Sequence, residues 1–270
     1  MIFYFSATGN TLWAAKKTSL MLGETIVDIA EEMLSIANAN GYDGTLRFNI
    51  ADGESIGFFF PVHGWRPPVI VREFVRHIDF NGGKPGYTYV VCTAGDTVGE
   101  AVDIFKGDLS KSGLSVDSAI SLLMPESYIG LPFMDVDNHK NEMRKKSEAE
   151  LKLSTFVEDV RLHKSGINDI TIGRWPRINS RLIGSIFTHC IVSDRPFRVD
   201  SEKCLRCGKC ASLCPVLDIE GGKGNLPKWK NNGKCLSCFA CYHHCPTKAI
   251  EYGHRTRNKG QYYYTRSPKM

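Results

Sequence analysis

No apolar run in this 270-residue sequence approaches the length needed to cross a bilayer, so no membrane span is expected. The first residues, Met1-Ile2-Phe3-Tyr4-Phe5, read as a buried strand with no basic segment or cleavage site ahead of them. A cytoplasmic location is the expectation, and with it reduced thiols rather than disulfides. There is no G-x4-G-K-S/T loop, which excludes a nucleoside-triphosphate P-loop, and no nicotinamide fingerprint. Acidic residues are scarce in one part of the chain. Residues 195–270 hold fifteen Lys and Arg against five Asp and Glu, a net of +10, leaving −5 for residues 1–194 of a chain at +5. With 42% hydrophobic and 23% charged residues, the composition is that of an ordinary globular protein of about two domains.

Cysteine is not scarce. Eight of the ten fall in two copies of C-x2-C-x2-C-x3-C-P, one at Cys204, Cys207, Cys210 and Cys214, the other at Cys235, Cys238, Cys241 and Cys245. Three thiolates at this spacing wrap three corners of a cubane iron–sulfur cluster, and the fourth cysteine ligates the other cluster. On that rule Cys204, Cys207, Cys210 and Cys245 hold one 4Fe-4S cluster, and Cys214, Cys235, Cys238 and Cys241 the other. The rival readings are two zinc sites, whose usual spacing separates two C-x2-C pairs by a long loop, and four disulfides. Two clusters at about −2 each would offset much of the basic excess, so no nucleic-acid partner is expected. Cys92 and Cys190 lie in apolar runs and read as buried small hydrophobes.

The pattern resembles the bacterial two-cluster ferredoxins. It implies a small α+β lobe, expected over residues 195–253. Phe197-Arg198-Val199 and Ala249-Ile250-Glu251-Tyr252 are strand-like and suited to pairing, and the insert 216–234 reads as a surface loop.

Upstream, strands alternate with helices. Strand-like stretches are read at residues 2–5, 25–29, 55–60, 87–92 and 115–123. Helical ones are read near 12–22, 69–78, 97–109 and 138–163. The alternation argues for an α/β fold, a doubly wound parallel five-stranded sheet, with its ligand at the carboxyl ends of the strands. Four loops would gather there, the last being Met124-Pro125-Glu126-Ser127-Tyr128 after the fifth strand-like stretch. Ser6-Ala7-Thr8-Gly9-Asn10-Thr11 opens onto a helix and offers backbone N–H groups and hydroxyls to an anion, unless it is simply a capped helix start. Pro61-Val62-His63-Gly64-Trp65 and Thr93-Ala94-Gly95-Asp96 follow the next two strands. In the last helix Met143, Leu151, Leu153, Phe156, Val157 and Val160 are candidate packing residues.

The first loop resembles the flavodoxin phosphate loop, and the second and third, Pro61–Trp65 and Thr93–Asp96, fall where that family flanks its flavin. The resemblance covers residues 1–165. It implies FMN bound by Ser6–Thr11, Pro61–Trp65 and Thr93–Asp96. The third loop departs from the family in lacking an aromatic residue, so Trp65 would have to supply the ring contacts unless it is a core tryptophan, and Tyr128 reads as structural before functional.

Residues 166–194 read as a connector in which Ile183, Ile186, Phe187, Ile191 and Val192 pack between domains. Residues 254–270 form a basic, tyrosine-rich tail expected to fold back on the first domain. The domain order resembles the EFR1-family ferredoxins. That resemblance implies an electron carrier or adaptor in which two 4Fe-4S clusters and FMN exchange electrons and dock with redox partner proteins. The alternatives are an FMN-dependent reductase of a small organic substrate, and a ferredoxin with a flavin-free docking domain.

Overall fold

The computed structural model describes residues 1–37 and 44–266. In chain order it runs β1 (Ile2–Tyr4), α1 (Asn10–Leu22), β2 (Ile26–Asp28), α2 (Ile29–Ala37), β3 (Leu46–Asn49), β4 (Ser55–Pro61), α3 (Val69–His77), β5 (Ile78–Asn81) and β6 (Tyr87–Ala94). It continues with α4 (Ala101–Leu109), β7 (Ser118–Leu123), α5 (His139–Arg161) and β8 (Asn168–Asp169). The five strands expected from the sequence pair in parallel in the order β2-β1-β4-β6-β7, and β8 adds a two-residue sixth strand at the edge. That is the flavodoxin-like doubly wound order, with its switch point between β1 and β4.

A parallel strand covered on both faces needs a nearly continuous apolar run. β4, Ser-Ile-Gly-Phe-Phe-Phe-Pro, is buried from Ile56 through Phe60. Its Gly57 is obligatory, because a Cβ there would lie 2.6 Å from the Tyr89 ring. One face of the sheet packs Phe3 and Phe58 against Phe74 of α3 and Phe105 of α4. The other packs Ile2, Phe59 and Tyr89 under α5 through Leu153, Phe156 and Val157. Met143 and Leu151, expected to pack, are 51% and 73% exposed. The inward stripe of α5 is Ala149, Leu153, Phe156, Val157 and Val160, and Met143 and Leu151 fall outside it. The sequence reading also missed α2 and the parallel pair β3–β5.

The connector is helical. It passes through π-helical turns at Ile178–Ile183 and Phe187–Ile191, joined by α6 (Gly184–Ile186). Ile183 and Ile186 point outward at 44% and 50% exposure, against expectation, and Cys190 is exposed rather than buried. Cys92 is buried as read.

The C-terminal lobe comprises β9 (Phe197–Val199), α7 (Lys209–Ser212), β10 (Ile219–Glu220), β11 (Lys228–Trp229), α8 (Ala240–His243) and β12 (Ile250–Tyr252). β9 pairs antiparallel with β12, as the sequence proposed. The insert is more than a loop: β10 and β11 form a hairpin that buries Ile219 and Trp229, the latter stacked on Phe197 at 5.1 Å. The tail does fold back. Tyr264 stacks on Trp13 of α1 at 5.2 Å, and Tyr262 is buried. Residues 267–270 of the expected tail lie outside the described residues. Among the described residues no helix is long and apolar enough to cross a membrane.

Candidate functional site

Because all strands of the main sheet run one way, the loops after β1, β4, β6 and β7 open on one edge, and they enclose a cavity of about 340 Å³. Ser6, Ala7, Thr8, Asn10 and Thr11 line it, as do Pro61, Val62, His63, Gly64 and Trp65, and Thr93, Ala94, Gly95 and Asp96. Of the residues expected at a flavin site, Gly9 alone does not. It caps α1 in the left-handed region (φ 93°), and a Cβ there would approach Tyr264 Cβ to 3.1 Å. Glycine is therefore required for the turn and for the tail that covers it.

Side chains tie these loops together. The Thr11 and Thr93 hydroxyls are 2.7 Å apart, and Thr8 Oγ1 donates to Ser127 Oγ at 3.3 Å. Asn10 Nδ2 donates to the Pro125 carbonyl at 3.0 Å, while its Oδ1 accepts from the Tyr262 hydroxyl at 2.6 Å. Trp65 takes a left-handed backbone (φ 58°) and anchors its indole N–H on Thr97 Oγ1 at 3.2 Å. Tyr128, across the cavity, meets Phe187 and Phe239 edge-on at 5.3 and 5.4 Å. The cavity thus offers hydroxyls and a helix N-terminus at one end and aromatic faces at the other.

Two ionisable groups in the lining are perturbed. Burial lowers the His63 pKa to about 4, so its imidazole is neutral at pH 7. Burial raises the pKa of Glu126, and this outweighs the N–H bonds its Oε1 accepts from Ser127 (2.8 Å) and Tyr128 (2.7 Å). Lys145 Nζ holds the rim by donating to Asp137 Oδ2 at 2.6 Å and the Gly95 carbonyl at 2.8 Å. The sequence places Glu126 and Ser127 in a loop at this edge but does not single them out as site residues. Their loop follows a strand, but nothing in its composition marks which side chains turn inward.

The eight cysteines separate into two hollows. Cys204, Cys207, Cys210 and Cys245 border one, and Cys214, Cys235, Cys238 and Cys241 border the other, which is the crossed arrangement expected. The two halves are copies 31 residues apart. α7 and α8 each follow a left-handed residue, Gly208 (φ 74°) and Phe239 (φ 57°). Backbone N–H groups repeat too: Arg206 to Cys204 Sγ at 3.4 Å and Ser237 to Cys235 Sγ at 3.4 Å, Asp218 to Cys214 Sγ at 3.2 Å and Ala249 to Cys245 Sγ at 3.3 Å. Such bonds stabilise sulfur that carries negative charge.

Burial raises the thiol pKa to about 11 at Cys210 and about 12 at Cys238, and raises Cys235 and Cys241 as well. Thiolates in these hollows therefore need a cationic centre, and the N–H donors are in place to receive them. Among the described residues no three His, Cys, Asp or Glu converge on a single-ion site. Each quartet instead surrounds a hollow, which fits a cluster better than one zinc ion. Asp218 borders the second hollow, where burial and then the charge of Asp194 push its carboxyl up to about 7.

The hollows differ in setting. Cys207 is exposed, with Leu205 beside it at 66% exposure, whereas Cys241 is buried and Cys238 half-buried. Cys238, alone among the eight, also lines the large cavity, together with Leu236 and Ser237. His243 helps hold this docking, with Nε2 2.7 Å from the Ser127 carbonyl oxygen and Nδ1 accepting the Tyr262 N–H at 3.1 Å.

Residues 197–258 match the family model described as a 4Fe-4S dicluster domain, a segment that contains all eight motif cysteines. No curated protein is matched by the chain. Solved structures similar to it include a candidate flavoprotein of Bacteroides uniformis, at 19% identity over 45% of this chain and 88% of that one, TM-score 0.31. Another, of Bacteroides eggerthii, has 18% identity over 56% and 94%, TM-score 0.32. The Trp repressor binding protein of Bacillus subtilis has 11% identity over 57% and 96%, TM-score 0.34. The C-terminal lobe is a 4Fe-4S ferredoxin-type domain, and electron transfer is the chemistry that such a domain brings.

Proposed function

We propose that the protein is an electron-transfer flavoprotein of the EFR1 type, in which two 4Fe-4S clusters exchange electrons with FMN and, through the outer cluster, with other redox proteins. Bound clusters supply one-electron steps, and a flavin supplies the junction between one- and two-electron chemistry. The observation that carries the reading is Cys238, which borders both the inner hollow and the cavity. Ser6–Thr11 would receive the phosphate on the start of α1 and its hydroxyls, while Trp65 and Tyr128 would face the ring. The exposed Cys207 and Leu205 make the outer hollow the side open to a partner. Protein isolated anaerobically is expected to carry about eight iron and eight sulfide per chain, with one FMN. Full iron with no flavin, even after FMN is added, would overturn the relay, and zinc in place of iron would overturn the cluster assignment.

Glu126 favours a second reading, a reductase of small quinones or enoates. Its raised pKa extends the pH range in which a protonated carboxyl faces the cavity, as a proton donor requires. On this reading turnover falls as pH rises through the Glu126 pKa, and Glu126→Gln flattens that limb. Equal pH profiles for the two proteins would leave the carrier reading alone.

A further inference from the structure

The helical connector is built inside out. A helix on a protein surface normally turns its apolar stripe to the core. Here the inward positions are small or polar. Ser180 is buried, its Oγ accepting from Glu100 N at 2.8 Å and its carbonyl from Arg66 Nη1 at 2.8 Å. Gly184 presses on the preceding loop so closely that a Cβ would lie 2.2 Å from the Gly64 carbonyl oxygen. The outward positions are Trp175, Ile178, Leu182 and Ile186, at 60%, 49%, 59% and 50% exposure. Ile178, Leu182 and Ile186, four residues apart, make one stripe, with Trp175 just ahead of the helix in a left-handed turn (φ 62°) and Ile172 and Ile183 exposed beside it. Single exposed residues such as Leu20 are ordinary, but a stripe like this marks a surface that something covers.

Charge indicates what covers it. Residues 170–193 contain Arg174, Arg177 and Arg181 and no Asp or Glu. Arg177 and Arg181, 84% and 72% exposed, are drawn toward Glu100 on one edge, with Arg181 Nε at 2.7 Å. Arg174 lies over the Trp175 ring at 5.4 Å. An apolar stripe with tryptophan at its head and arginines at its edge is the pattern of a helix lying in a lipid interface. Two copies facing stripe to stripe would set two acid-free, arginine-bearing segments against each other. We propose that the outward face of residues 172–186 rests on an anionic membrane surface. The same helix carries Phe187 into the cavity wall, so binding would hold that cavity about one helix diameter, some 10 Å, from the lipid.

The test is co-sedimentation of the full-length protein with vesicles of phosphatidylcholine alone or mixed with phosphatidylglycerol. Strong partition to the anionic vesicles, weakened by salt, is expected, with little to the neutral ones. Leu182→Ser combined with Ile186→Ser should lower it about tenfold or more, and because both residues are exposed the unfolding midpoint should not move. No sedimentation with anionic vesicles, or unchanged partition of the double variant, overturns the proposal. So does a solution mass of two chains that falls to one in that variant, which would assign the face to a second copy.

Discussion

Cys238→Ala is expected to remove about half of the iron and sulfide and to disconnect the remaining cluster from the flavin. Cys207→Ala should remove a similar amount of iron yet leave the junction working. The two residues occupy equivalent roles in sequence, each the second cysteine of its motif, but opposite positions in space. Cys207 is exposed at the outer hollow, whereas Cys238 stands between the inner hollow and the cavity. Rapid mixing with a protein donor that reduces the clusters would separate them. In Cys238→Ala, flavin reduction should fall to the rate at which the donor reaches the cavity directly, with the outer cluster reduced as before. In Cys207→Ala, a small reductant that enters the inner hollow should still reduce the flavin quickly. Flavin reduction at the unaltered rate in Cys238→Ala would sink the relay. An equal loss in both variants would show instead that the lobe had come apart as a unit.

What could be read from the chain alone follows the range of the interactions involved. The triplets Cys204-Cys207-Cys210 and Cys235-Cys238-Cys241 were legible because short spacings fix which thiols meet, and the motif's rule assigned Cys214 and Cys245 to the opposite triplets. The loop at Ser6–Thr11 was legible because a strand, a glycine turn and a helix start are contiguous. Cys238 as the shared wall was not, because it depends on how one domain seats on the other. That seating rests on contacts between remote segments, such as His243 with Ser127 and Tyr262 with Asn10. Errors had a common cause as well. Ile183, Ile186, Cys190, Met143 and Leu151 were read as buried because they are apolar, but helix phase and not composition decides which side faces in. The β10–β11 hairpin escaped notice because its strands are two residues long and the turn between them is rich in glycine.

The largest effect on folding is expected at Asp108, where Asp108→Ala should cost about 2–4 kcal/mol of unfolding free energy at pH 7. The carboxyl sits on α4, 4% exposed, and is held by two arginines one turn apart on α3, Arg72 Nε at 2.5 Å and Arg76 Nε at 2.9 Å. Removing it leaves two guanidinium groups without their counter-ion at the α3–α4 contact. That contact lies toward the C-terminal ends of both helices, the ends away from the loops Pro61–Trp65 and Thr93–Asp96 that precede them. The cost falls short of the range for a fully buried pair because Arg76 keeps 37% of its side chain in water. The pH dependence identifies the cause. Burial alone would raise the carboxyl pKa, but the hydrogen bonds and charges of Arg72 and Arg76 outweigh it and hold the pKa below the ordinary value. A depressed carboxylate pKa contributes stability that is complete above the unfolded value, about 3.9, and is lost as pH falls through the folded one. Denaturant unfolding of both proteins at neutral pH and near pH 3 should therefore show the gap between them shrinking in acid. A gap of the same size at both pH values would assign the loss to packing and remove the ion pairs from the account of how α3 and α4 are held together.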